Sequence, residues 1–140
     1  MTDNFDDYDA FASAGLRLTV DLGALVENWR EMARRSGSAR TAAVVKADAY
    51  GLGIEDIGET LYSAGARDFF VATADEGATL RLYAPEARIF VLCGIWPGME
   101  RIFFENDLVP IVASEEQLTF WMSVLSDYGD YPCALQVDTG

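Results

Sequence analysis

A single lysine, Lys46, stands between an apolar, β-branched stretch and a glycine-flanked loop, in the run AVVKADAYGLG that spans residues 43–53. A charged amine is costly to bury for packing alone. Val44 and Val45 precede the lysine, and partial desolvation by such neighbours disfavours the charged form of an amine. A neutral amine can attack a carbonyl compound and can accept a proton from a carbon acid. The common alternative is a strand-end lysine whose amine extends into solvent.

Tyr50 follows the lysine by four residues. Its hydroxyl could donate a hydrogen bond to a phosphate near Lys46, and the alternative is an aromatic ring packed on the rim of the fold. Gly51 and Gly53 permit a close approach of the backbone to a ligand, or simply form the turn. We interpret Asp48 as a solvated loop acid, and Asp138 receives no catalytic role.

Composition restricts the class of protein. The sequence has 140 residues, is 51% hydrophobic and carries a formal net charge of -13, so we expect a soluble globular protein that binds neither nucleic acid nor an anionic membrane surface. It has no histidine, which excludes Ser-His-Asp and Cys-His catalysis and histidine-ligated metals within these residues, so no metal site is predicted. Cys93 and Cys133 are predicted to be buried free thiols.

The N-terminus is acidic and lacks the basic start and apolar core of a secretory signal, and the sequence has no apolar run that could span a bilayer. We therefore expect a cytoplasmic protein. Residues 1–14 are predicted to be an acidic flexible tail, and residues 15–140 a globular portion.

Apolar runs alternate with helical patterns along that portion. The first predicted strand, residues 16–20, alternates apolar and polar side chains, and Asp21 can cap the helix that follows it. The apolar face of the last helix is predicted to be Leu118, Trp121, Met122 and Leu125, behind a Ser114–Gln117 capping box. The remaining predicted strands are 41–45, 68–72, 88–93, 109–113 and 133–137, and the remaining predicted helices are 22–33, 54–62, 74–83 and 99–106.

Continuous apolar strands separated by helices predict a parallel α/β sheet buried on both faces. Two architectures fit, an open doubly wound sheet and a (β/α)₈ barrel. The dinucleotide fingerprint G-x-G-x-x-G is missing after the first strand. A full barrel has about 250 residues. The pattern itself leaves the two choices open.

The run around Lys46 resembles the pyridoxal-phosphate lysine motif of alanine racemases, and the resemblance extends from Leu18 to Gly140. It implies the first five or so strands of a (β/α)₈ TIM-type barrel, preceded by a strand and a helix, with a C-terminal β domain absent from this chain. It further implies a bacterial isomerase that supplies D-alanine for cell-wall peptidoglycan. By the resemblance Lys46 forms the Schiff base with pyridoxal 5'-phosphate and is the base on the D-alanine side, while Tyr50 holds the cofactor phosphate.

Two positions depart from the family pattern. Leu52 stands where many members have histidine, and Gln136 where many have a lysine that supports a substrate arginine. The family works as a homodimer, and the second base belongs to the C-terminal region. We therefore expect residues 1–140 alone to be inactive and to associate through exposed apolar strands. The alternatives are a pyridoxal-phosphate-binding barrel without turnover and a truncated product that packs against a partner.

Overall fold

Five parallel strands form one sheet in the order β1-β2-β3-β4-β5 in the computed structural model, which describes residues 15–140. Each strand pairs with the next one along the chain. A doubly wound sheet reverses its strand order, whereas a barrel keeps it sequential. The observed order therefore supports the barrel over the open sheet. The strands are β1 (Ala43–Val44), β2 (Asp68–Val71), β3 (Arg88–Val91), β4 (Leu108–Val112) and β5 (Ala134–Leu135).

The helices form an outer layer in which α1 packs against α2, α2 against α3, and α3 against α4, and Phe104 of α4 stacks on Trp121 of α5. Three helices begin at a side-chain cap: Asp21, Thr73 and Ser114 each accept a hydrogen bond from a backbone N–H in the first turn. The Thr73 and Ser114 caps match the sequence pattern of a capping box. The helices are α1 (Leu22–Arg35), α2 (Ile54–Ala64), α3 (Ala74–Tyr83), α4 (Glu100–Glu105) and α5 (Glu115–Tyr128).

The hydrophobic core lies between the sheet and this helical layer. Strand alternation divides the sheet residues into a helix-facing set and an inner set. Phe69, Ile89 and Leu108 are fully buried on the helix-facing side. On the inner side, the Phe70 and Phe90 rings stack with centroids 4.9 Å apart and are only partly buried. The prediction of strands buried on both faces therefore holds fully for β4 alone.

The segment 16–20, predicted as a strand, lies outside the sheet. Leu16 and Leu18 are 94% and 78% exposed, and helix α1 follows directly after Asp21 as predicted. A strand is stabilised by hydrogen bonds to a neighbouring strand, and the sheet of the described residues, β1 to β5, does not include this segment. The acidic tail predicted for residues 1–14 lies outside the described residues.

Two packing predictions were wrong in part. Trp121 of α5 is buried and Leu125 packs against the core, as predicted, but Leu118 and Met122 are 39% and 60% exposed, and Gln117 and Val124 are buried instead. The buried face is rotated because the Gln117 amide finds backbone partners beneath the helix. The two cysteines are free, as predicted, but both are exposed, because Cys93 follows β3 and Cys133 precedes β5, so that neither lies within a strand.

Candidate active site

Lys46 directly follows β1 at the carboxyl end of the sheet. The preceding residue is still tied to the neighbouring strand, because the Val45 N–H donates to the Phe70 carbonyl oxygen at 2.9 Å. Val45 is 1% exposed, and Lys46 itself is partly buried. Active sites of barrel enzymes lie at this end of the strands. The amine is therefore carried by backbone that is fixed up to the residue before it.

The chain then makes a turn of left-handed helix, Lys46–Gly51, here named the lysine turn. Four consecutive non-glycine residues, from Ala47 to Tyr50, have φ values between +52° and +58°. This conformation brings Cβ close to the following carbonyl oxygen and costs about 1–2 kcal/mol per residue. Four such residues in a row require contacts elsewhere that hold them in place.

Hydrogen bonds around Asp48 provide part of that support. The Gly53 N–H donates to the Asp48 carbonyl oxygen at 3.0 Å, and the Ile54 N–H donates to Asp48 Oδ1 at 2.8 Å. Asp48 is exposed, but its carboxylate satisfies a free donor at the start of α2. It is therefore an exposed loop acid, as the sequence suggested, and in addition a remote cap for α2.

A second carboxylate reaches the lysine turn from α3. Glu76 accepts hydrogen bonds from the Asp48 N–H at 3.3 Å through Oε1 and from the Ala72 N–H at 2.8 Å through Oε2. It therefore bridges the loops that follow β1 and β2. Glu76 was not identified as a site residue from the sequence. The signal that could have identified it is the spacing Thr73-x-x-Glu76, which repeats the spacing of Ser114 and Gln117.

Tyr50, the second predicted site residue, ends the strained part of the lysine turn. Its side chain is 63% exposed. Within residues 15–140, neither the Tyr50 hydroxyl nor the Lys46 amine forms a hydrogen bond or ion pair with another side chain or the backbone. The lysine turn thus carries two polar groups, four residues apart, without a partner among the described residues. A ligand with a carbonyl carbon and an anionic group would fit these two groups chemically.

The two positions that depart from the family pattern lie apart from each other. Leu52 is 42% exposed and lines an apolar cleft between α1 and the lysine turn, together with Met32, Val44 and Tyr50. Gln136 follows β5, and its N–H donates to the Val112 carbonyl oxygen at 2.9 Å. Leu52 therefore belongs to the surroundings of the lysine turn, whereas Gln136 lies at the far edge of the sheet.

Neither a metal centre nor a membrane span is evident in the described part of the chain. Residues 15–140 contain no group of three or more histidine, cysteine, aspartate or glutamate side chains placed to hold a metal ion. None of the helices in this range is both long and apolar enough to cross a bilayer.

This chain matches known alanine racemases. Residues 20–140 match the family described as the alanine racemase N-terminal domain. The chain is 72% identical, over its whole length, to the biosynthetic alanine racemase of Agrobacterium fabrum, covering 37% of that protein. It is 63% identical over 93% of its length to the alanine racemase of Rhizobium meliloti, covering 34% of it.

Solved structures agree in fold. The crystal structure of the Bartonella henselae alanine racemase, which has covalently bound pyridoxal phosphate, superimposes with a TM-score of 0.82. That comparison covers 86% of this chain and 34% of the other, at 33% sequence identity. The chain therefore spans about a third of the length of the relatives it matches.

Proposed function

Because the chain belongs to the family of the alanine racemase N-terminal domain, we propose that the protein interconverts L-alanine and D-alanine with pyridoxal phosphate as its cofactor. The observation that carries the proposal is the position of Lys46. It is the only lysine in the sequence, and it directly follows β1 at the carboxyl end of the sheet. The amine is uncommitted within the described residues, as a covalent ligand for a carbonyl group must be.

The residues present fit the cofactor. Lys46 would hold it covalently through Nζ, and the Tyr50 hydroxyl would donate to its phosphate. When bound, pyridoxal phosphate accepts the electron pair that remains on the substrate α-carbon after the proton leaves. Lys46 Nζ would then take that proton on one side of the α-carbon and return it there in the reverse direction. The Val45 hydrogen bond before Lys46 and the lysine turn after it would fix the backbone from which Nζ reaches that carbon.

Racemisation also needs a proton donor on the opposite side of the α-carbon. We propose that this second group and the substrate arginine come from other parts of the protein, and that the protein works as a homodimer. On this view residues 15–140 form the first part of the barrel. We propose that the protein is a cytoplasmic enzyme and that it supplies D-alanine for the bacterial cell wall.

Borohydride trapping tests the lysine assignment. Incubation of the complete protein with pyridoxal phosphate, followed by reduction and peptide mapping, should place the pyridoxyl group on Lys46. The α-amino group of Met1 is the other primary amine in this sequence, so the map separates specific from incidental attachment. A Lys46→Ala variant should lose both the adduct and the formation of D-alanine. An adduct that persists in this stretch of the variant would contradict the assignment.

The Tyr50 assignment has its own test. Tyr50→Phe removes one hydrogen bond to a charged phosphate, which is worth about 1.5–3 kcal/mol, so cofactor retention should weaken by roughly tenfold to a hundredfold. Tyr128→Phe is a matched control, because Tyr128 is 55% exposed and lies at the end of α5. Dialysis followed by cofactor absorbance measures both variants. Equal retention by Tyr50→Phe and the wild type would remove Tyr50 from the site.

A further inference from the structure

Glu76 lies at the third position of α3 and connects two loops at the carboxyl end of the sheet. One carboxylate oxygen accepts from the N–H of Ala72, just after β2, and the other accepts from the N–H of Asp48 in the lysine turn. The same Asp48 carries the cap of α2 on its side chain. Glu76 is thus the described side chain through which a neighbouring helix holds the strained backbone after Lys46.

Gln117 occupies the equivalent position in α5. Its Oε1 accepts from the Ala113 N–H at 2.9 Å, just after β4, and its Nε2 donates to the Cys93 carbonyl oxygen at 3.1 Å, just after β3. Both residues lie three positions after a Ser or Thr cap, and both bond the N–H four residues earlier. The same arrangement, a side chain at the third position of a helix that bonds two loops, therefore occurs beside the lysine turn and again away from it.

The Glu76 and Gln117 side chains each bond two backbone groups, and they differ in the second of these bonds. Glu76 faces two N–H donors, so both of its oxygens must accept. Gln117 faces one donor and one acceptor, which an amide satisfies with its oxygen and its nitrogen. A glutamine at position 76 would therefore keep one bond and turn its NH₂ group toward a donor. A glutamate at position 117 would keep one bond and turn an oxygen toward a carbonyl oxygen.

We propose that Glu76 is a positioning residue for Lys46, which it orients by fixing the Asp48 N–H and with it the left-handed lysine turn. The part of this inference that concerns cofactor binding rests on the proposed function. The lysine turn has an unfavourable backbone conformation over four residues, so it relaxes when its external support is removed. Relaxation would move Lys46 and Tyr50 relative to each other, because both are on this turn.

Glu76→Gln and Gln117→Glu form a matched pair, since each exchanges one oxygen for one NH₂ group or the reverse. In the complete protein, Glu76→Gln should speed hydrogen exchange of the amides of residues 46–54 by about tenfold, the effect of losing one hydrogen bond to a charged group. Gln117→Glu should leave this exchange within about twofold of the wild type, while speeding exchange near residues 93 and 113.

The induced circular dichroism of added pyridoxal phosphate provides a second reading, because it reports the orientation of the bound ring. We expect Glu76→Gln to lower this signal to under half and to slow trapping at Lys46 about tenfold, and Gln117→Glu to change neither. If both variants change the two readings equally, the effect is general loosening and the inference is wrong. If Glu76→Gln leaves exchange at residues 46–54 unchanged, it is also wrong.

The same measurements distinguish a failure of the proposed function from a failure of the Glu76 inference. Wild-type protein would then form no adduct at Lys46, while the exchange measurement would still decide whether Glu76 holds the lysine turn. An exchange effect without any adduct would retain the structural bridge and reject the cofactor role of Lys46.

Discussion

At the amino ends of the strands, one arginine donates to five backbone carbonyl oxygens, whereas at the carboxyl ends one carboxylate supports a left-handed turn. Arg81, in the last turn of α3, bonds the carbonyls of the loops before β3 and β4, at 2.7–3.1 Å. Nearby, the buried Asp68 pairs with Arg88 and Arg40. The lysine turn instead contains four residues with unfavourable φ values, held by few bonds.

The difference shows how one sheet separates stability from chemistry. Loops at the amino end have backbone carbonyls satisfied by Arg81 and contain one left-handed non-glycine residue, Asp107. Loops at the carboxyl end carry more of the strain, with four consecutive left-handed residues next to the amine that is proposed to react. Strain of this kind persists where the surrounding structure enforces it, and it is found most often at functional sites. Changes at the two ends should therefore affect different measurements.

Arg81→Ala should have the largest effect on stability. The arginine side chain is 15% exposed, and its removal leaves several partly buried carbonyl oxygens without a donor. Each unsatisfied group costs about 1–3 kcal/mol, and partial hydration limits the sum, so we expect a loss of at least about 3 kcal/mol in the free energy of unfolding. Urea denaturation of the complete protein measures it.

Arg81→Lys is the control, because it keeps the charge but lacks the planar fork that reaches both loops. It should recover less than half of the loss. Both variants should trap pyridoxal phosphate on Lys46 at the wild-type rate under conditions where they remain folded. If trapping is lost in proportion to stability, then the amino ends of the strands also govern cofactor trapping, and the two ends do not have separate roles.

Ala47→Gly tests the strain in the lysine turn. Ala47 has φ +53° and is exposed, so glycine removes the Cβ contact of the left-handed conformation without removing packing. The relief is offset in part by the greater freedom of the unfolded chain, so we expect a gain of up to about 1 kcal/mol. Ala33→Gly, in the right-handed helix α1, should lose about 1 kcal/mol. A loss of stability at both positions would mean that the turn is not strained.

The sequence predicted the five strands of the sheet, the helices between them and the position of Lys46 directly after the first of these strands, because those features depend on local patterns. The sequence placed α3 at residues 74–83, as observed, and most of the other elements of the sheet and helical layer within about two residues. The left-handed turn was not predictable, because alanine and aspartate rarely adopt it without tertiary support. The partner that supplies this support, Glu76, is 28 residues from Asp48, and only the three-dimensional pairing of loops reveals it.

The packed face of α5 was missed for a similar reason. Hydrophobic spacing assigns the buried position to Leu118, but Gln117 takes it because its amide bonds two backbone groups at the end of the sheet. Gly94 leaves the space for it, since a Cβ there would lie 2.5 Å from Gln117 Nε2. A polar residue at a buried position is favourable only when such partners exist, and a single sequence does not show them.

Substitution of Tyr131, at the amino end of the sheet, should have the smallest effect on the free energy of unfolding. Partial burial, and then the hydrogen bond of its hydroxyl to Asp107, raise the pKa of this phenol above its ordinary value near 10. A raised pKa in the folded state means that the folded protein keeps the proton longer. Its contribution to stability is therefore complete below about pH 10 and is lost as the pH rises further. Because Tyr131 is only partly buried, solvent screening limits the loss to under about 0.5 kcal/mol between pH 9.5 and 10.5.

Tyr131→Phe should show a correspondingly flatter decline of unfolding free energy over this range, whereas Tyr128→Phe should follow the wild type. A steeper decline in Tyr131→Phe than in the wild type would reverse the sign and show that the phenol is ionised more easily in the folded protein.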